Sequence, residues 1–212
     1  MCLDMRSLSI LITVLALVFP AIIEAGHPLL VETKVAYYRP FDHMVRKIYA
    51  PRLANYQLEA TYPFSTEKKI WNQFNVWGAV NYIRTEGESL WLRERSKMRT
   101  VPLTLGLKWM WPFRDEIKEN DLQLYIGLGM RYFFVRIDNE THYAIEKVTF
   151  NGMGGVAEVG GLLYINPRVF LDFFMDASYR RFHSSSKDGH PVTRRSLQAG
   201  GFSAGGGIGF TF

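Results

Sequence analysis

Cysteine is all but missing from this 212-residue chain, whose one thiol is Cys2. Small secreted soluble domains often staple a modest core with disulfides, and that route is closed here. Cys2 precedes the amino-terminal apolar run instead of following it, which does not suit a bacterial lipoprotein. Long apolar runs are scarce as well. Leu8 to Phe19 is interrupted only by Ser9 and Thr13, but it is short for a helical span and no second run follows. Hydrophobic residues still make up 48% of the chain and aromatics 15%, so the apolar content is diluted along the chain. That excludes a helical membrane protein. Charge is not concentrated either. The formal net charge is +5, yet the basic residues are scattered rather than gathered on one element, so nucleic acid is not an expected partner. Cofactor signatures are lacking. Gly152-Met153-Gly154-Gly155 does not have the spacing of a phosphate loop, and Asp42, His43 and His142 have no specific metal-ligand spacing. The sequence predicts no catalytic residue, no cofactor and no metal.

What is present begins with the amino terminus. Met1 to Arg6 is short and weakly charged, Pro20 ends the apolar run, and Ile23-Glu24-Ala25 offers a small residue for cleavage. This is the three-part plan of a secretory signal peptide over residues 1–25, with a mature domain over residues 26–212. An uncleaved anchor helix is the alternative. Loss of the leader removes one base and two acids, taking the net charge from +5 to +6.

The mature chain alternates. Eight segments place apolar or small residues at every second position: Leu30–Arg39, Leu53–Tyr62, Trp71–Arg84, Thr100–Trp109, Leu122–Ile137, Gly155–Ile165, Val169–Arg181 and Leu197–Phe212. Alternation with period two gives a strand one apolar face and one polar face. At about 10 to 16 residues the segments exceed the usual globular strand of about five or six and suit a tilted membrane span. Tyr37, Tyr62, Tyr82, Trp109, Tyr132 and Tyr179 lie on the apolar face near segment ends, where an interfacial aromatic belt would sit. A soluble two-sheet sandwich would also alternate, but it would turn its apolar faces inward. An even strand number lets a barrel close with both termini on one side, and closure leaves none of the unpaired backbone groups that are costly in lipid. The fold class expected is all-β, an eight-stranded antiparallel up-and-down transmembrane barrel. Its long loops are predicted at Pro40–Arg52, Thr85–Arg99, Asp138–Gly154 and Phe182–Ser196. Its turns are predicted at Pro63–Ile70, Met110–Asp121 and Asn166–Arg168.

The final stretch, Phe-Ser-Ala-Gly-Gly-Gly-Ile-Gly-Phe-Thr-Phe from Phe202 to Phe212, resembles the closing strand of bacterial outer-membrane barrels. In that family a terminal aromatic, a hydrophobic residue two before it and a glycine five before it form the insertion signal, matched here by Phe212, Phe210 and Gly207. Gly205 stands where the family carries a polar residue, so the match is partial. With the leader and the alternating segments, the mature chain resembles the small eight-stranded outer-membrane proteins of the OmpX, OmpW and OmpA-barrel kind. Tyr62-Pro63-Phe64 and Phe133-Phe134 are similar to stretches in barrels of chlamydia-like bacteria. The resemblance implies residence in the bacterial outer membrane, monomeric behaviour and recognition by the barrel-assembly machinery. It also implies contact with outer-membrane lipids and lipopolysaccharide, and with host or other surface ligands.

Charged residues on the non-apolar face define the candidate site. Glu32, Lys34, Glu59, Lys108, Arg131, Glu158, Asp172, Asp176 and Arg180 all point to the predicted lumen, with both signs present. Eight strands enclose a space that side chains fill, and buried ions must be paired. A salt-bridge network plugging the lumen is therefore expected. A proton or ion relay is the functional alternative, and a narrow OmpW-like conduit would need an apolar lumen that inward Trp77, Tyr125, Phe170 and Phe174 supply only in part. His183-Ser184-Ser185 resembles the His-x-Ser of outer-membrane lipid A deacylases, but Ser186 replaces the expected Asn and no carboxylate follows Arg194. The expected function is a structural or surface-interaction barrel acting through its loops. A narrow channel for small hydrophobic or ionic solutes is the alternative, and a lipid A-modifying enzyme comes third.

Overall fold

The computed structural model describes residues 29–49, 53–63, 74–88, 95–111, 119–140, 145–183 and 196–212. Eight strands follow in order: β1 (Leu30–Pro40), β2 (Leu53–Pro63), β3 (Phe74–Glu88), β4 (Arg95–Trp111), β5 (Leu122–Glu140), β6 (Ile145–Asn166), β7 (Val169–His183) and β8 (Ser196–Thr211). One short helix, α1 (His43–Tyr49), lies between β1 and β2. Each strand pairs antiparallel with its sequence neighbour, and β8 returns to β1 to close the barrel. Closure satisfies the backbone without an open edge.

Alternation sets which side chain faces where, and it does so inside out. Outward residues are apolar and exposed, among them Tyr37, Leu105, Leu128 and Phe173. Inward residues include charged groups with almost no exposure, such as Lys34, Glu59 and Asp172. That distribution and the closed sheet exclude the soluble sandwich.

Several strands run beyond their predicted ends. Asp138–Gly154 is expected to be a loop, but β5 continues to Glu140 and β6 starts at Ile145, registered from Glu140↔Ile145 downward. β3 and β4 likewise extend through Thr85–Arg99 to Glu88↔Arg95. The pairing of β6 with β7 stops at Gly155↔Tyr179. β6 thus runs ten residues past its last pair with β7, while β7 and β8 continue only four, to His183↔Ser196. The β3–β6 wall therefore rises above its neighbour by roughly six residues at β6, about 20 Å of strand. Taken alone, the upper parts of these strands lack the apolar alternation of a membrane span, and backbone pairing holds them instead.

Two local features have plain causes. The β3–β4 ladder breaks between Val80↔Leu103 and Ile83↔Thr100. Pro102 sits opposite that gap and has no N–H to give to β3. The β6–β7 turn is tight because Asn166 Oδ1 accepts from the amides of Arg168 (2.8 Å) and Val169 (2.9 Å), an Asx turn.

Helix α1 is the element not expected. Asp42 caps it, with Oδ1 accepting from Met44 N (2.8 Å) and Val45 N (3.3 Å), while Oδ2 accepts from Gln198 N of β8 at 3.1 Å. Val45 and Tyr49 turn inward and are buried. Tyr49 shares a 2.6 Å hydrogen bond with Ser96, which donates on to Asn139 at 2.7 Å. The helix is thereby fixed across the raised wall. Burial pushes the Tyr49 hydroxyl up from its usual pKa.

Candidate functional site

On several strands the inward face sets large residues beside glycines of the neighbouring strand, and register explains why. Lys34 of β1 pairs with Gly207 of β8, Trp77 of β3 with Gly106 of β4, and Tyr125 of β5 with Gly160 of β6. A Cβ at Gly207 would lie 2.9 Å from Lys34 Cγ. One at Gly106 would lie 2.6 Å from Trp77 Nε1, and one at Gly160 2.5 Å from the Tyr125 hydroxyl. Each bulky inward side chain leans over a neighbour that has none. The inward glycines of β8 thus make room for side chains of adjoining strands, not only for those across the lumen.

In that space the charged residues converge. Lys34 Nζ lies 2.6 Å from Asp172, 3.1 Å from Glu59, 3.1 Å from Glu158 and 3.3 Å from Glu32. Lys108 Nζ donates to Glu59 and lies 3.0 Å from Glu158. Aromatic faces complete the shell. Lys34 stands 4.7 Å from the Phe174 ring centre, and Lys108 stands 4.2 Å from that of Tyr125 and 4.8 Å from that of Trp77. The Tyr125 hydroxyl is 3.0 Å from both Glu158 and Asp172 and donates to one at a time. Cation–π contact and charge-assisted hydrogen bonds replace the water these ions lose. A second, smaller pair lies higher, where Arg131 meets Asp176 at 3.1 Å and donates to Thr104 at 2.8 Å. Beside these, Gln57 donates to Glu59 at 2.7 Å and Asn81 to Gln57 at 2.7 Å.

The predicted lumen residues are thus placed in two groups. Glu32, Lys34, Glu59, Lys108, Glu158 and Asp172 come together in one cluster, and Arg131 and Asp176 form the pair above it. Arg180 joins neither. It is half-buried nearer the upper end, with its guanidinium 5.3 Å from the Phe182 ring centre. Tyr125 is central to the cluster in a way that its residue type alone did not signal. Gln123-x-Tyr125-x-Gly127, a large polar aromatic alternating with glycine, is the trace it left in the sequence.

Apolar plates close the lumen on both sides of this layer. Below it, Leu30, Met110, Leu162, Tyr164 and Phe170 pack together, with Tyr164 and Phe170 rings 5.4 Å apart. Above it, Tyr38, Val45, Tyr49, Ile83, Met98, Phe133, Val135 and Phe182 form the upper plate, with α1 as part of it. A cavity of about 20 Å³ remains there, lined by Tyr38, Val45, Met98, Phe133 and Val135, room for about one water.

The other sequence candidates fall elsewhere. Asp42 is committed to capping α1, and no group of metal-ligating side chains occurs among the described residues. Ser184, Ser185 and His142, and the leader over residues 1–25, lie outside the described residues. No described helix is long and apolar enough to cross a membrane, which says nothing of strands. Phe210 is exposed on the outer face of β8, Gly207 faces inward beside Lys34, and Phe212 forms a two-way backbone pair with Leu29 (3.1 and 2.9 Å).

No protein-family model matches the chain, and no curated protein matches it by sequence. Solved structures do match in shape. The outer membrane protein OprG from Pseudomonas aeruginosa superposes with a TM-score of 0.58 at 12% identity, covering 88% of this chain and 96% of that one. Neisserial surface protein A gives 0.54 at 12% identity, covering 87% and 97%. Ail, the attachment invasion locus protein of Yersinia pestis, gives 0.53 at 15% identity, covering 88% and 99%. The chain therefore has the fold of the small eight-stranded outer-membrane β-barrels.

Proposed function

We propose that this chain is an integral, monomeric protein of the bacterial outer membrane that acts without catalysis, as a structural and surface-interaction barrel. The observation that carries this reading is the sealed lumen. A fully buried ion cluster lies between two apolar plates, so a solute would have to break charge pairs and part packed aromatics at both ends. Buried charges stripped of a partner cost several kcal/mol each, which opposes conduction. Interaction then falls to the raised β3–β6 wall and the connections at the same end.

In this reading residues 1–25 are removed on export, and Gly207, Phe210 and Phe212 are read by the barrel-assembly machinery. The exposed apolar band of outward residues meets lipid. Lipopolysaccharide and host or other surface ligands meet the upper end. The test is single-channel recording in planar bilayers with purified protein. No reproducible unitary steps are expected, and well-resolved steps would overturn the sealed-lumen reading.

A further inference from the structure

Three arginines stand side by side on the outer surface. Arg84 of β3 is registered against Arg99 of β4, and Arg99 against Arg136 of β5. Partners across an antiparallel pair hold their Cβ atoms about 4.5–5.5 Å apart, and like charges so placed destabilise a sheet. The outer two are partly compensated. Glu86 lies 3.4 Å from Arg84, and Asp138 Oδ1 accepts from Arg136 Nε at 2.9 Å. Arg99, in the middle, is exposed and has no ion-pair partner among the described residues. An arrangement this unfavourable by itself suits an external anion.

The height of the row says which anion. Two residues further down the same strands, the outward positions carry Tyr82, Val101 and Phe134, and from there down the outward face is apolar. Two residues further up they carry Glu86, Lys97 and Asp138. The row marks the line where the apolar band ends and charge begins. In a bilayer that line is the level of headgroup phosphates. A soluble polyanion would gain nothing from the apolar edge beneath, whereas a phosphorylated lipid uses both.

We propose that Arg84, Arg99 and Arg136 bind the phosphate groups on the glucosamine headgroup of outer-leaflet lipopolysaccharide, with Arg99 as the central ligand. Guanidinium forks suit this work because they offer paired donors to phosphate oxygens. The bound phosphate also relieves the repulsion along the row. This inference rests on the outer-membrane placement proposed above.

The test uses the refolded mature barrel in neutral detergent micelles. It is titrated with bis-phosphorylated lipid A or with dephosphorylated lipid A, and the temperature at which the fast-migrating folded band disappears is followed. Bis-phosphorylated lipid A should raise that temperature and the dephosphorylated form should not. Arg99→Gln should weaken the apparent affinity about tenfold, the loss of one charge-assisted contact, and should not lower stability without lipid. Arg168→Gln, an exposed cation in the β6–β7 turn at the opposite end of the barrel, should leave the affinity unchanged. Equal response to both lipids, or equal losses in Arg99→Gln and Arg168→Gln, would overturn the proposal. So would soluble inorganic phosphate or a sulfated oligosaccharide reproducing the shift at the same concentration, since the ligand would then not be the lipid. A barrel that folds and inserts yet ignores phosphate fails this inference alone; a chain that does not insert into vesicles fails the placement.

Discussion

Lys34 is the cation on which the lumen cluster turns. Its ammonium touches four carboxylates within 3.3 Å, and its side chain is fully buried. Replacing it with methionine keeps the length of the chain but leaves Glu32, Glu59, Glu158 and Asp172 facing only Lys108. Removing one partner of a buried ion pair costs about 3–5 kcal/mol. Lys34→Met should fall at the upper end of that range, because it leaves a single cation among four buried carboxylates. The assay is urea unfolding of the barrel in phospholipid vesicles, followed by tryptophan fluorescence and by band migration without boiling. Since neutral groups of matching shape can replace buried ions at little cost, the triple variant Lys34→Met with Glu158→Gln and Asp172→Asn should recover at least half of the loss. A Lys34→Met barrel within about 1 kcal/mol of the parent, the scale of a surface pair, would refute the reasoning. So would a triple variant less stable than the single one.

Two further outcomes follow from local geometry. Gly160→Ala would place a Cβ 2.5 Å from the Tyr125 hydroxyl and 2.6 Å from the Phe173 carbonyl oxygen, whereas at Gly155 of the same strand nothing lies within 4 Å. The first should cost about 1–3 kcal/mol through overpacking and the second should be nearly neutral, as the urea midpoints will report. On the rim, the hydrogen bond from Arg95 holds the Glu86 carboxyl below its ordinary pKa. A depressed folded-state value contributes stability above the ordinary carboxylate range, and that contribution fades as pH falls through the folded value. Arg95→Gln should therefore return Glu86 toward the usual range in a carbon-detected NMR titration; an unmoved Glu86 would show that the contact does not hold in solution.

The sequence made the membrane half of this molecule legible and left the upper half obscure. From Leu30 to Tyr38, and along β5 from Gln123 to Phe134, strict alternation assigned each residue to its face, because lipid and lumen impose opposite demands on neighbouring positions. Above that band the demand weakens. Residues such as Lys147, Thr149 and Asn151 alternate in no apolar sense, so the β5–β6 extension reads as a loop although its backbone is fully paired. Helix α1 was hidden for a different reason. Seven residues are too few to show a helical period, and only Asp42, standing as a cap before Val45, hinted at it. Within the site, the nine charged lumen residues could be named from period alone, but their partners could not. That Lys34 meets Asp172, or that Arg84, Arg99 and Arg136 share one row, depends on register between strands, which no single segment encodes.

The glycines of β8 have a consequence for how the closing seam finds its place. Inward positions 205, 207 and 209 are all glycine, and they face Ala36, Lys34 and Glu32 on one side and Phe174, Asp172 and Phe170 on the other. A slide of β8 by two residues would still offer Lys34 a glycine, but it would carry Thr211 into the place of Gly209, where a Cβ lies 2.1 Å from the Phe170 ring, or Ser203 into the place of Gly205, where a Cβ lies 2.1 Å from the Val35 carbonyl oxygen. At Trp77 the same slide would meet Thr104 or Lys108 in place of Gly106. The last strand is thus keyed like the rest of the barrel, not by one notch but by the length of its glycine run. Both of its ends add to this hold: Phe212 and Leu29 exchange two backbone hydrogen bonds and Thr211 donates to the Arg168 carbonyl at 2.9 Å, while at the other end Asp42 accepts from Gln198 N at 3.1 Å. Alignment of the final strand is then shared between the limits of its glycine run and the contacts at its two ends, so a side chain added at Gly205 or Gly209 should disturb closure more than a side-chain change at Thr211.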